Sequence, residues 1–117
     1  MNIVILGWYG TETLGDRAIL DGIVRIYAEQ CKTLRIRIGS LYPFFTERTL
    51  YEDTTLYNSH GTETELGTFD VYNKRLLHKE ILDSDCVIMG GGPLMDLNEL
   101  YIIQHAFRFA KKHNVST

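Results

Sequence analysis

The sequence predicts a doubly wound α/β domain, in which helices cover both faces of an open parallel sheet. An uninterrupted apolar run, Ile3–Leu6, leads into a loop that contains Gly7, Gly10 and Gly15. A second apolar run, Cys86–Met89, leads directly into three consecutive glycines. Apolar runs of this kind are typical of strands that are buried on both faces. Helix and strand patterns alternate between them with short connections, which favours a parallel sheet.

The first strand is followed by a predicted helix that begins near Asp16. A carboxylate at a helix start accepts hydrogen bonds from unpaired backbone N–H groups and complements the helix dipole. Apolar residues at helical spacing predict the face that packs on the sheet; they are Leu20, Val24, Tyr27 and Cys31. A βα unit with a glycine loop at the carboxyl end of its strand is typical of doubly wound domains.

The next segment, Leu34–Ile38, alternates apolar residues with two arginines and then reaches Gly39 and Ser40. A period of two predicts a strand with one wet face, and therefore a position nearer the edge of the sheet. The middle of the chain is predicted as a short helix, a weak strand, a polar loop and a longer helix. Their predicted bounds are 44–53, 55–58, 59–68 and 70–82, respectively.

The last predicted elements are the strand Cys86–Met89 and a helix over Leu97–Lys112. Pro93 suits the entry to that helix, because its missing N–H would have no partner in a first turn. Asn114 predicts a helix stop, and the residues after it predict the start of another strand. We therefore expect residues 1–117 to form one domain, with an open sheet, that is the front part of a longer protein.

Composition narrows the classes of function. The chain has 117 residues, of which 44% are hydrophobic, and a net charge of −3 with scattered lysines and arginines. No basic stripe suggests nucleic acid, and no apolar run is long enough to span a bilayer. The two cysteines lie far apart and are interpreted as reduced core thiols, which fits a cytoplasmic protein.

The glycine loops do not match common nucleotide-binding motifs. The spacing of Gly7, Gly10 and Gly15 differs from the dinucleotide fingerprint, and no P-loop lysine follows. Gly7 and Trp8 stand where a receiver domain would carry its acidic pair. The triple glycine could bring backbone N–H groups together at a helix N-terminus to bind phosphate or carboxylate. The alternative is that the three glycines only form a tight strand-to-helix turn.

Two segments resemble the N-terminal signatures of the polysaccharide pyruvyl transferase family. They are GTETLGDRAIL, which contains Asp16, and SDCVIMGGGPLMD, which contains Asp85 and Asp96. The segment SLYPFFTE, which starts at Ser40, is similar to the family's sequence after the second strand. Two positions depart from the family pattern: Thr13 stands where asparagine is usual, and Arg17 where an acid is common.

The resemblance implies a Rossmann-like domain that forms the N-terminal half of a GT-B-like enzyme. Such an enzyme transfers a pyruvyl group from phosphoenolpyruvate to a sugar, or a lipid-linked saccharide, of a cell-surface polysaccharide. A lipid-linked acceptor would bring this cytoplasmic protein to the inner face of the membrane. The ligand-binding residues implied are Gly10, Thr13, Gly15, Asp16, Gly90, Gly91, Gly92 and Asp96.

The motifs single out no catalytic residue, no metal site and no cofactor other than the donor substrate. Arg17 is the cation at the motifs, so we expect the catalytic acid and an arginine clamp outside this chain, and no turnover by the chain alone. Trp8 and Tyr9 could stack on a sugar or cap the core. His60 is placed on the site side, whereas His78, His105 and His113 are predicted on helix surfaces away from it.

Two other classes of function remain open at this point: a GT-B-like transferase that uses a nucleotide-sugar, and a non-catalytic binding or interaction domain. The ligand that stabilises the protein distinguishes the first class from a pyruvyl transferase. The acceptor sugar does not follow from the sequence, nor does the number of copies in any homo-oligomer. An open sheet edge favours self-association, so we expect the chain to dimerise or aggregate more than a complete domain would.

Overall fold

The computed structural model describes residues 1–11, 14–57, 63–92 and 98–117, with the backbone alone for 52–57. Strands and helices alternate along the chain. The strands are β1 (Asn2–Leu6), β2 (Thr33–Ser40), β3 (Glu63–Asp70) and β4 (Cys86–Met89). The helices are α1 (Leu14–Gln30), α2 (Pro43–Tyr57), α3 (Lys74–Leu82) and α4 (Asn98–Lys112). The predicted α/β class is therefore confirmed.

The four strands form one parallel sheet in the order β3-β2-β1-β4. In β1, Ile3 lies opposite Ile36 on one side and Cys86 on the other. Both faces of β1 are covered, and Ile3–Leu6 are fully buried, as an uninterrupted apolar strand predicts. Beyond β4, Ser116 forms a single parallel bridge with Cys86.

Helices lie on both faces of the sheet, which makes the fold three layers thick. Leu20 and Val24 of α1 and Leu50 of α2 share one core with Ile3 and Ile5. The opposite face carries α3 and α4, whose buried residues pack on Val4, Leu6 and Val87; these are Leu77, Ile81, Ala106 and Ala110. This arrangement is compatible with a Rossmann-like fold. Helices α1 and α2 cover one face, and α3 and α4 cover the other, because the chain crosses from β3 back past β1 to β4.

The middle of the chain differs from the sequence prediction. Helix α2 continues to Tyr57, so the strand predicted at 55–58 is wrong over its first three residues, and Asn58 lies outside the described residues. Most of the predicted polar loop is β3, an edge strand whose residues are mainly exposed or half-buried. Helix α3 begins at Lys74 rather than 70, because the Asn73 side chain accepts the Leu76 N–H at 3.2 Å and caps it.

Strand β2 lies inside the sheet and not towards its edge, contrary to the prediction. Its arginines alternate with apolar residues because they face carboxylates of neighbouring elements instead of open solvent. Glu80 of α3 is buried there and lies 3.1 Å from the Arg37 guanidinium and 3.6 Å from that of Arg35. Glu65 of β3 lies 3.7 Å from Arg35 and extends this charged cluster.

Candidate functional site

The loops after β1 and β4 meet where the strand order reverses. From β1 the chain moves outward through β2 to β3, and then returns to the other side of β1 as β4. Ligands of open α/β sheets bind at the carboxyl edge at such a point. The Gly90 N–H donates to the Leu6 carbonyl at 2.8 Å. The structure therefore brings the two predicted glycine loops into direct contact.

Each residue of the triple glycine lies against a side chain or backbone of the first loop or of α1. The Gly90 carbonyl accepts a hydrogen bond from the Tyr9 hydroxyl. A Cβ on Gly90 would also lie 2.5 Å from the Ile5 side chain. A Cβ on Gly92 would lie 3.3 Å from the Trp8 Cβ. Close packing alone therefore explains why glycine occupies these positions, and a bound anion is not needed to explain it.

Gly91 lies against the carboxylate of Asp16. Its φ is +123°, a conformation that favours glycine, and an added Cβ would be 2.7 Å from Asp16 Oδ1. Asp16 lies in the first turn of α1, two residues after the helix begins. An ionised carboxylate here complements the helix dipole but would repel a phosphate placed on the triple glycine. The charge next to Gly91 is therefore negative and belongs to the protein itself.

The other predicted ligand-binding residues have different surroundings. Gly10 has a φ of +96°, and a Cβ there would lie 2.7 Å from both Ser40 Oγ and Tyr42 N. Gly15 belongs to α1, and a Cβ there would meet nothing within 4 Å, so its backbone does not require glycine. Thr13 and Asp96 lie outside the described residues, as does His60.

A small hollow opens at this edge between α1 and α2. Its volume is about 30 Å³, and Asp16 and Arg17 contribute its charged groups. The remaining lining combines aromatic, aliphatic and hydroxyl side chains with the Gly10 backbone: Trp8, Tyr9, Leu20, Phe45, Thr46, Thr49 and Leu50. Of the two aromatic residues after β1, Tyr9 is buried in the core and Trp8 is half-buried against the opposite core cluster.

A hydrogen-bonded junction fixes the start of α2 to the first loop, and the sequence analysis did not single it out. Ser40 Oγ is fully buried, donates to the Tyr9 carbonyl at 3.2 Å, and accepts the Tyr42 N–H at 3.1 Å. Thr46 Oγ1 lies 2.7 Å from Ser40 Oγ, and the Leu41 N–H donates to Tyr9 O at 3.0 Å. A polar residue directly after β2, at the carboxyl edge, was the available signal for this junction.

The histidines on α3 and α4 form a contact of their own. His78 Nε2 and His105 Nε2 are 2.9 Å apart, and His78 stacks on Phe109 with ring centroids 3.8 Å apart. His113 lies against the other side of the group, 4.4 Å from Phe109. Burial, followed by the neighbouring charges of His105, Lys74 and His113, lowers the pKa of His78 below its ordinary value.

Among the described residues, no three or more histidine, cysteine, aspartate or glutamate side chains are grouped so that they could hold a metal ion. Within the described ranges, no helix has the length and apolar character needed to cross a membrane. Cys31 and Cys86 are both free and half-buried.

Comparison of the chain with protein-family models, with curated proteins and with solved structures gives no match. The functional argument therefore rests on the residues themselves.

Proposed function

We propose that this domain binds donor and acceptor in the transfer of a pyruvyl group from phosphoenolpyruvate to a sugar of a cell-surface polysaccharide. The observation that carries the proposal is the pair of charged residues, Asp16 and Arg17, in the hollow beside the two glycine loops. The two segments that resemble the transferase signatures both contribute to this one edge of the sheet, at its switch point.

The chemistry assigns different roles to the two charges. In the reaction, two sugar hydroxyl oxygens bond to C2 of the donor and give up their protons, and the bond from C2 to the phosphate oxygen breaks. One proton goes to the methylene carbon, which becomes a methyl group, and the other leaves with inorganic phosphate. Arg17 supplies a cation for the donor's carboxylate or phosphate. Asp16 would repel those groups, and instead accepts hydrogen bonds from acceptor hydroxyls. The general acid and further cations come from outside this chain in the working enzyme.

Donor binding tests the proposal directly. We expect phosphoenolpyruvate to raise the melting temperature of the wild-type chain and to shift amide resonances in Asp16 and Arg17. Arg17→Ala should lose the response, because the donor's anionic groups lose their cation. Arg25→Ala is the matched control, since Arg25 belongs to the same helix but is not part of the lining of the hollow; it lies on an exposed face, 2.9 Å from Asp21.

The same measurement separates the alternatives. A response to UDP-glucose without one to phosphoenolpyruvate would replace the proposal with a nucleotide-sugar transferase. A response to neither ligand would favour a non-catalytic domain. Asp16→Asn should keep donor binding and weaken acceptor use in the complete enzyme, because the amide retains one acceptor oxygen but loses the charge. Unchanged acceptor kinetics would limit Asp16 to its helix-terminal role.

A further inference from the structure

An aromatic platform stands at the carboxyl edge beside the first glycine loop. It consists of Tyr42, Phe44 and Phe45 at the start of α2, which are 58%, 72% and 40% exposed. The Phe45 ring lies edge-on to both neighbours, with centroids 6.5 Å from Tyr42 and 5.6 Å from Phe44. Contiguous exposed apolar side chains mark binding surfaces, whereas single exposed apolar residues are common on any protein surface.

The backbone beneath this platform is fixed before any ligand arrives. The Tyr42 N–H donates to the buried Ser40 hydroxyl, and the Phe45 N–H donates to the Tyr42 carbonyl at 3.1 Å. Gly10 packs so closely on Tyr42 that a Cβ would lie 2.7 Å from its nitrogen and 2.9 Å from its oxygen. The junction therefore presents the aromatic side chains at a set position relative to the candidate site, which lowers the ordering cost of binding.

A hollow of about 210 Å³ opens between the platform and the first loop. Tyr42 and Phe45 supply aromatic walls, while Gly10 and Thr11 supply backbone and a hydroxyl. Thr11 Oγ1 donates to the Trp8 carbonyl at 3.0 Å and keeps lone pairs that can accept a ligand hydroxyl. Gly10 and Phe45 also line the smaller hollow with Asp16 and Arg17, so the two hollows are neighbours.

We propose that this platform binds one pyranose ring of the acceptor saccharide, an assignment that rests on the proposed function. The C–H face of a pyranose carries partial positive charge and is attracted to the negative face of an aromatic ring. The hollow is walled by four residues, far fewer than the twenty or more that each partner contributes to a stable protein interface. Asp16 is one of the residues that line the neighbouring hollow, and its carboxylate would accept hydrogen bonds from the sugar hydroxyls.

Saturation-transfer difference NMR on the whole chain tests the assignment, with methyl β-D-galactopyranoside and methyl β-D-glucopyranoside as probes. The wild-type chain should transfer saturation to the ring C–H protons of at least one probe. The double variant Tyr42→Ala/Phe44→Ala should bind that probe about threefold to tenfold more weakly, because it loses ring contacts of the size of an aromatic pair. Both side chains are largely exposed, so the variant should keep the wild-type fold and melting temperature.

Tyr51→Ala is the matched control, because Tyr51 lies on the same helix and is 85% exposed but is outside the platform. It should bind the probe as the wild type does. If the wild-type chain transfers saturation to neither sugar, or if the double variant binds the probe as tightly as the wild type, the assignment is overturned. Loss of a wild-type dimer in the double variant, measured by light scattering, would also overturn it and assign the platform to a second copy.

Phosphoenolpyruvate binding, measured on the same three proteins, keeps the two proposals apart. Donor binding without sugar binding refutes the platform alone. Sugar binding that depends on the platform, without donor binding, supports the platform and refutes pyruvyl transfer.

Discussion

The contact between Asp16 and Gly91 shows how one residue at the candidate site restricts another. The first turn of α1 directs a carboxylate at the loop after β4, where a Cβ added to Gly91 would lie 2.7 Å from Asp16 Oδ1. The contact joins the two ends of the switch point. The effects of substitutions at the two residues on the free energy of unfolding should therefore not be additive, because the residues are in contact.

Gly91→Ala should lower the free energy of unfolding by about 1–3 kcal/mol, because its φ of +123° is strained for any other residue and its Cβ would meet Asp16. In an Asp16→Ala background the same substitution should cost less, since only the backbone strain remains. Urea denaturation of the four proteins of this cycle measures both terms.

Gly22→Ala provides the control for that cycle. Gly22 lies inside α1, and a Cβ there would meet nothing within 4 Å, so alanine should stabilise by up to about 1 kcal/mol. Wild-type stability of Gly91→Ala would show that the loop tolerates a side chain and that the contact is not tight.

At the scale of elements, α3 is joined to the sheet by charge as well as by apolar packing. Glu80 of α3 is 7% exposed and lies among the arginines of β2, while Arg37 also donates to the Thr68 carbonyl of β3 at 3.2 Å. Arg37 of β2 thus links α3 and β3. Buried ion pairs contribute little net stability as a whole, but removal of one partner leaves the other desolvated.

Glu80→Ala should therefore destabilise by about 2 kcal/mol, less than the 3–5 kcal/mol of a fully buried pair, because Arg37 remains partly solvated. Thermal unfolding measures the change. Glu65→Ala is the control: its carboxylate is 69% exposed and 3.7 Å from Arg35, so its loss should cost less than about 0.5 kcal/mol. Equal effects of the two substitutions would contradict a special role for the buried carboxylate.

The contact of α3 with α4 predicts that stability depends on pH. The pKa of His78 is lower in the folded chain than its ordinary value of 6.5. At a pH between the folded-state pKa and 6.5, the folded chain therefore binds fewer protons than the unfolded chain. The stabilisation by this group is therefore complete above about pH 6.5 and is lost as the pH falls towards the folded pKa. The neighbouring charges of His105, Lys74 and His113 act on the same ring, and His105 Nε2 lies 2.9 Å from His78 Nε2.

Melting temperatures between pH 8 and pH 5 should show this decline in the wild type, and His78→Gln should reduce it. His113→Gln should reduce the decline less than His78→Gln does, because His113 is exposed, contacts Phe109 rather than the Nε2 pair, and has the weakest influence on the His78 pKa among the neighbouring charges. An identical pH profile for His78→Gln and the wild type would mean that the decline comes from other groups.

For the whole molecule, apolar runs and glycine positions predict the parallel sheet, β1, β4 and the meeting of their loops. The errors concern β2 and β3. The arginines of β2 pair with the buried Glu80, which follows Arg37 by 43 residues in the sequence. A local sequence pattern cannot show so distant a partner. Strand β3 carries Thr64 and Thr68 among glutamates and Gly67, and its pairing with β2 overrides this weak local preference.

The same limit applies to the candidate site. Sequence order marks Asp16 and the glycines, because each follows a buried strand. The Ser40 junction and the platform depend on the position of α2 relative to the first loop, which no single segment encodes. Gly15 belongs to the ligand-binding residues that the family resemblance implies, and the structure shows no close neighbour that requires glycine there.

The two outer strands predict how copies of this chain meet. Strand β3 carries Glu63 and Glu65, and charges on an edge strand discourage pairing. Within the described residues, β4 pairs on its outer side at one bridge, where the Val87 N–H donates to the Ser116 carbonyl. The Met89 amide points to the same side, because the direction of backbone hydrogen bonds alternates along a strand. We therefore expect self-association through β4.

Light scattering over increasing concentration should show a rise in mass, and hydrogen exchange should slow at Met89 in the same range. Met89→Pro removes the outward N–H but leaves the bonds from β4 to β1, so this variant should remain monomeric if it keeps the wild-type circular dichroism. The amides of β3 serve as the internal control, because their exchange should not depend on concentration. A wild-type chain that stays monomeric at high concentration, or protection that appears at β3 instead, would contradict association through β4.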